Sequence, residues 1–292
     1  MRPYAHTNGD VMQLYFWKSP QGNFGDDLNP WLWGRLIPEL AELEDNSVVF
    51  SGIGSVIGKH LPAGRINIVL GSGAGYTRIP NRNWKIYALR GQLTAKLLNT
   101  GRSLPLGDPA VLVSCLHTVA QRSNHVVFVP HWETVQFDSW RLVCDRVGCE
   151  LVDPREQPLD VVEKIASSRL VIAESLHAAI IADAYRVPWV PVVCTHFNRF
   201  KWTDWLTTLQ MEYRPVFLGE PWYRVLPGYR SRHNRLTFKF LEWRFSRLSN
   251  QQVNAFSRLC EGRDARLSTD KSLHTCQESL LSAVDTFRKE WS

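Results

Sequence analysis

Residues 170–184 read Leu170-Val-Ile-Ala-Glu-Ser-Leu-His-Ala-Ala-Ile-Ile-Ala-Asp-Ala184. Leu170–Ala173 is a short apolar run of the kind that forms a strand buried on both faces. Ser175 is a good helix cap, and Leu176–Tyr185 reads as the helix that follows. A strand that leads straight into a helix N-terminus is the unit of a doubly wound α/β sheet. Ligands of such sheets bind outside the carboxyl ends of the strands.

The same alternation runs outward in both directions. Downstream lie a strand at Trp189–Val193 and a helix at Lys201–Leu209. Upstream are strands at Val126–Val129 and Glu150–Val152, with helices at Phe137–Val147 and Val161–Ala166. A polar break at Ala120–Asn124 separates this series from an earlier one, with strands at Gln13–Trp17, Val48–Phe50, Ile66–Leu70, Ile86–Leu89 and Ala110–Val113. In that earlier series a helix opens at Asn29-Pro30, Asn as cap and Pro in the first turn, and Gln92–Leu98 is helical. The fold expected is α/β, with two doubly wound Rossmann-type domains facing each other. The divisions are 1–120, 121–217, and a basic, largely helical extension over 218–292.

Composition narrows the function. At 292 residues and 44% hydrophobic, the chain can bury a sizeable core. No apolar run approaches the ~18 residues of a membrane span. Met1–Asp10 lacks the basic-then-apolar pattern of a secretory signal, so export is not expected. Six scattered cysteines without a CxxC pair give little support to a zinc site or a disulfide scaffold, and reduced thiols in a cytoplasm fit best. The HExxH, P-loop, EF-hand and GxSxG patterns are absent, which leaves no motif for a metal and disfavours a serine triad.

The net charge of +6 is concentrated late: residues 218–292 hold 13 Lys/Arg against 8 Asp/Glu. No nucleic-acid motif accompanies it, so no nucleic-acid partner is expected. Within that part, Arg224–Leu248 interleaves seven basic residues with Leu236, Phe238, Phe240, Leu241, Trp243, Phe245 and Leu248. Its polar wedge is narrower than that of a clean interfacial helix. Docking against the protein body and peripheral contact with the inner face of the cell membrane both remain readings of it. The twelve Trp are read mostly as core.

Candidate chemistry sits at the strand ends. Asn23-Phe-Gly-Asp-Asp27 precedes a helix, where one carboxylate is a base in a cleft or both merely favour the helix N-terminus. The Gly52–Ser55 and Gly71–Gly75 loops suit close approach of a ligand, though neither is a full GxGxxG. Arg90 at a strand end before a helix is a good anion clamp. Gly107-Asp108-Pro109 reads as a simple turn. His177, in the first turn of its helix, is either an anion partner or a histidine packed beside the sheet. Lys201 opens a later helix and can send its ammonium to the same anion. His131 and Trp132 at a strand end fit a sugar ring, or edge packing.

These pieces together resemble the polysaccharide pyruvyl transferase family. Asn23-Phe-Gly-Asp26 is similar to its NxGD signature. Leu89-Arg90-Gly91, followed by Leu106-Gly-Asp-Pro109, is in the expected order, as is Ser167–Ile172 leading into Leu176–Ala182. Gly22–Trp33 and Phe200–Trp205 look most like bacterial exopolysaccharide ketal transferases of the succinoglycan type. The resemblance covers residues 13 to about 212. It implies a GT-B-like pair of domains, acceptor on the N-terminal side and donor on the C-terminal side. It implies no cofactor, phosphoenolpyruvate as co-substrate, and a cyclic ketal, usually 4,6, formed on one sugar of an oligosaccharide or lipid-linked glycan.

By the same resemblance, Arg90 and His177 hold the donor and Asp26 is the base. The donor site expected is Arg90, Ser175, Leu176, His177 and Lys201, with His177 an acid or donor ligand, and Asn23, Asp27, His131 and Trp132 are expected at the acceptor. Where the family has Arg-Leu-His, this chain has Ser175-Leu176-His177, so one cation is missing. Lys201 is the substitute expected, with Lys18 and Arg199 next. Two rival readings are a glycosyltransferase of the same architecture using a nucleotide sugar, and a non-catalytic glycan- or membrane-binding relative.

Overall fold

A computed structural model describes residues 12–218 and 252–291, apart from 42–46, 59, 60, 63, 76–78, 80–82, 101, 102, 120, 137 and 195–197. Two parallel sheets carry it. The first holds β1 (Gln13–Leu14), β2 (Val48–Ser51), β3 (Ile66–Leu70) and β4 (Asn83–Ala88), side by side in chain order. The second holds β5 (Val126–Val129), β6 (Glu150–Leu151), β7 (Leu170–Ala173), β8 (Trp189–Val193) and β9 (Val216–Phe217), in the order β6-β5-β7-β8-β9. All paired strands run parallel. β2, β5, β7 and β8 are buried along their whole length, as strands with cover on both faces must be.

Double winding holds for the second sheet only. From β5 the chain goes to one side for β6, then returns across to β7, so the order reverses between β5 and β7. The described strands of the first sheet show no reversal, which corrects the expectation of two doubly wound sheets.

Helices follow most strands. α1 (Phe24–Asp27) and α2 (Asn29–Leu36) come after β1, and α3 (Gln92–Leu97) after β4. α4 (Val113–Leu116) leads to the second half. There α5 (Asp138–Val147), α6 (Pro158–Ser167), α7 (Leu176–Ala184) and α8 (Arg199–Leu206) fill the crossovers. α9 spans 252–260, and α10 (Asp270–Trp291) comes last. The basic stretch Arg224–Leu248 lies outside the described residues. No described helix is long and apolar enough to cross a membrane.

Two local readings change. Ala110–Val113 is not a strand, because Asp108 accepts a hydrogen bond from Ala110 N–H (3.1 Å) and Pro109 fixes the first turn of a 3-10 helix, Pro109–Leu112. Asn29 is not a cap. Its fully buried amide donates to the carbonyls of Asp26 (2.8 Å) and Ile53 (3.0 Å) and accepts from Ile53 N–H and Trp33 Nε1 (both 2.9 Å). It thereby ties the first helices to the loop after β2.

α7 is apolar almost all round because it has cover almost all round: the second sheet on one side, the Pro109–Leu112 turn and α4 of the first half on the other. Trp33, Trp140, Trp189, Trp202 and Trp205 are each at most 2% exposed, so core filling is their role. α10 returns from the far end of the chain to the first sheet. There the Phe287 ring lies 5.4 Å from those of Phe50 and Tyr87, and Lys85 pairs with Glu290 (2.8 Å).

Candidate active site

α7 begins at the reversal of strand order, and its first turn presents His177. Glu174, 2% exposed, fixes the surroundings. Its carboxylate accepts from His131 N–H (2.9 Å) after β5 and from Cys194 N–H (3.1 Å) after β8, so one buried side chain ties three strand ends. Ser175 occupies the cap position but its hydroxyl makes no capping bond, and its own N–H donates to Val129 O (3.2 Å). Leu176 is buried, 3% exposed, behind His177. His131 and Trp132 sit together at the end of β5, half-buried, with ring centroids 5.7 Å apart.

The first half delivers its groups to the same place through loops. The α1 turn approaches α7 closely enough that a Cβ on Gly25 would overlap the His177 ring. Phe24 meets that ring edge-on at 6.5 Å, and Phe24 N–H donates to Pro154 O across the halves (2.8 Å). Asp26 is 7% exposed. Asn23 Nδ2 donates to its Oδ2, and its Oδ1 occupies the space where Gly54, at φ +123°, has no Cβ. Asp27 is held in local bonds, accepting from Asn23 N–H (3.0 Å) and pairing with exposed Lys18 (3.1 Å).

Arg90 is 1% exposed. Its Nε donates to Asp204 Oδ2 (3.2 Å) and its Nη1 to Ser55 Oγ, while Nη2 is buried with no hydrogen-bond partner. Gly73 leaves room for the guanidinium, since a Cβ there would overlap it. The two Gly loops therefore make way for the protein's own side chains, Asp26 at Gly54 and Arg90 at Gly73. Asp204 comes from α8 and also accepts from Thr94 N–H (2.9 Å) and Thr94 Oγ1 (2.6 Å), so Arg90 of one half is locked to the other. Nothing about Asp204 within its helix sequence marks it as that lock.

Asp108 makes the turn expected of Gly107-Asp108-Pro109 and also reaches this site. Fully buried, it places Oδ2 3.9 Å from His177 Nε2, and neither atom has a hydrogen-bond partner. Its turn role is real, but its second oxygen has another direction. A Gly-Asp-Pro string carries no signal that separates the two.

Burial sets the protonation states. It pushes the Asp26 carboxyl up to about 8, against the opposing pull of Lys201 and with Asp27 and Asp108 adding to the rise. It pushes His177 down to about 3, with the charges of Lys201 and Arg90 acting the same way. Asp26 is thus protonated and His177 neutral near pH 7. Lys201, held at the start of α8 where its N–H donates to Asn198 Oδ1 (3.0 Å), acts on both. Arg199 is exposed, and Lys18 is engaged by Asp27. Among the described residues no cluster of His, Cys, Asp and Glu could hold a metal ion.

A family model for polysaccharide pyruvyl transferase matches residues 59–196. Over 216 residues the chain is 43% identical to the succinoglycan biosynthesis protein ExoV of Rhizobium meliloti (strain 1021), a match covering 70% of this chain and 67% of that protein. The chain belongs to the polysaccharide pyruvyl transferase family. No solved structure matches it. Family membership gives a transferase, pyruvyl transfer as the reaction class, and a polysaccharide acceptor. The matched segment includes Arg90, Asp108, His131, Trp132 and Ser175–His177. It leaves out Asn23, Asp26, Asp27 and Lys201.

Proposed function

We propose that this pyruvyl transferase moves the pyruvyl group of phosphoenolpyruvate onto two hydroxyls of one sugar in an exopolysaccharide or its lipid-linked precursor. A cyclic ketal forms and phosphate leaves. The observation that carries this reading is a buried, unpartnered guanidinium nitrogen, Nη2 of Arg90, together with the α1 turn of Gly25 and Asp26 packed on the His177 ring, where the charges of Arg90 and Lys201 act on both Asp26 and His177. A donor with a phosphate and a carboxylate needs several cations, and a helix N-terminus helps. Arg90 has an unsatisfied buried Nη2 to offer, Lys201 a charge, and α7 its first turn. In this reading the two sheets face each other across the donor, in the GT-B manner.

The protonation states favour a definite division of labour, opposite to the one the family resemblance implies. Protonated Asp26 gives its proton to the methylene carbon of phosphoenolpyruvate, leaving an oxocarbenium centre at C2. A sugar hydroxyl attacks C2 and its proton passes to neutral His177. The second hydroxyl then attacks C2, the C2–O bond to phosphate breaks, and the ring closes. Its proton restores Asp26, and the proton on His177 leaves with phosphate. The donor's negative charge beside His177 supports the imidazolium while it exists. Trp132 and His131 supply a ring face for the acceptor, with Asn23 and Asp27 at its rim.

Phosphate release from phosphoenolpyruvate, measured across a panel of lipid-linked and aryl glycosides, tests the proposal. Glycoside-dependent release is the expected result. No release, together with thermal protection by a nucleoside diphosphate but not by phosphoenolpyruvate, would show a glycosyltransferase instead.

A further inference from the structure

Asp108 has a bond to its turn and a second oxygen with nothing to do. Oδ1 caps the 3-10 helix through Ala110 N–H. Oδ2 is fully enclosed and unpartnered, and a cap alone does not require that. A lone buried acceptor costs about 1–3 kcal/mol relative to a satisfied one. Opposite it, 3.9 Å away, stands the equally buried and unpartnered Nε2 of His177. That gap is too long for a hydrogen bond, and a shift of about 1 Å closes it. Hydrogen bonds of catalytic groups are often long before substrate binds and tighten in the complex.

We propose that Asp108 is the positioning residue for His177: its Oδ2 accepts from Nε2–H, holds the imidazole in that tautomer, and steadies the imidazolium formed when a sugar hydroxyl is deprotonated. This rests on the reaction proposed above. The proton moves only from the hydroxyl oxygen to His177 Nδ1, and Asp108 keeps its charge throughout. The packing supports it, since the turn that carries Asp108 lies directly against α7. Gly25 bounds the ring on its Nδ1 edge, next to Asp26. Other groups act on Asp108 from every side. Arg90 draws its carboxyl down and Asp204 pushes it up, and Asp26 and the Cys276 thiol of α10 interact with its charge. Burial outweighs the rest, so the carboxyl sits at about 6. Asp108 is therefore ionised at neutral pH and loses this role as pH falls through about 6.

Asp108→Asn is the test. If Asn keeps the cap through Oδ1, its amide NH2 is what turns toward Nε2, and a donor there moves the ring proton to Nδ1. The expected result is a fall in kcat of roughly 10²-fold with little change in KM for phosphoenolpyruvate, loss of the acid limb near pH 6, and partial recovery in Asp108→Glu. A folded Asp108→Asn with wild-type kcat overturns the proposal. Nitrogen-15 spectra of His177 read the tautomer without any turnover. Nε2–H in the wild type and Nδ1–H in Asp108→Asn support the pairing, even should the wild type release no phosphate, in which case only the reaction assigned above fails. Nδ1–H in the wild type overturns it, whether or not the variant folds.

Discussion

Where the β6-β5-β7-β8-β9 sheet reverses its order, the loops part, and His177 enters from the first turn of a helix longer than two turns. The β1-β2-β3-β4 sheet has no such reversal among its described strands, and its loops are filled by Asp26 at Gly54 and Arg90 at Gly73. One half offers a helix end by topology. The other offers side chains by close packing of loops. The difference teaches that a switch point positions a group almost for free, whereas a loop-borne group depends on glycines and on buried partners in the opposite half.

Arg90→Ala breaks that dependence most severely. The variant leaves the Asp204 carboxylate buried without its cation, so a stability loss of about 3–5 kcal/mol is expected by chemical denaturation, and on the proposed reading donor binding weakens as well. A stable Arg90→Ala with only weakened donor binding would mean that Thr94 suffices to hold Asp204.

Asp26→Asn acts through pH. Turnover is expected to fall about 10²- to 10³-fold with donor affinity kept, as for loss of a general acid. In the wild type, kcat/KM for phosphoenolpyruvate is expected to decline as pH rises through about 8, where Asp26 would lose the proton it gives in the proposed reaction. The same group ties stability to pH. Its folded pKa lies above its unfolded one, so its contribution is intact below about 4 and is lost progressively up to about 8. Asp26→Asn is thus expected to be more stable than wild type at pH 8 by a few kcal/mol, roughly what a shift of this size carries. Equal stability at pH 8 would place the carboxylate in water.

Lys201→Ala removes a charge without removing a tie. KM for phosphoenolpyruvate should rise by about tenfold or more, as when one charge-assisted contact is lost, and Ser175→Arg should recover part of it. Failure of that rescue would separate the two positions. Lys18→Ala has the smallest expected effect, below about 1 kcal/mol in stability and under about threefold in KM, because the Lys18 side chain is 54% exposed. A KM change matching that of Lys201→Ala would move the missing charge to Lys18.

The second half was the more legible. Uninterrupted apolar strands at Val126–Val129, Leu170–Ala173 and Trp189–Val193, each followed by a helix, announce a parallel sheet, and His177 follows from its place at a helix start. In the first half, Ala110–Val113 has the composition of a strand, but Asp108 and Pro109 determine the local turn. Asp204 and Asp108 were opaque for a different reason. Their roles depend on Arg90, Thr94 and His177, separated from them by up to 114 residues in sequence, and no local pattern encodes a partner that distant.

The first sheet waits for α10. Phe287 packs edge-on against both Phe50 and Tyr87, so this core lacks that ring until residue 287 has been made. At ribosomal speed, the interval between residues 87 and 287 is on the order of ten seconds or more. During that time Trp33 of α2 covers Phe50 from one side, but the place that Phe287 takes against Phe50 and Tyr87 stays open. A truncation that removes α10 would therefore harm the half of the molecule that was synthesised first.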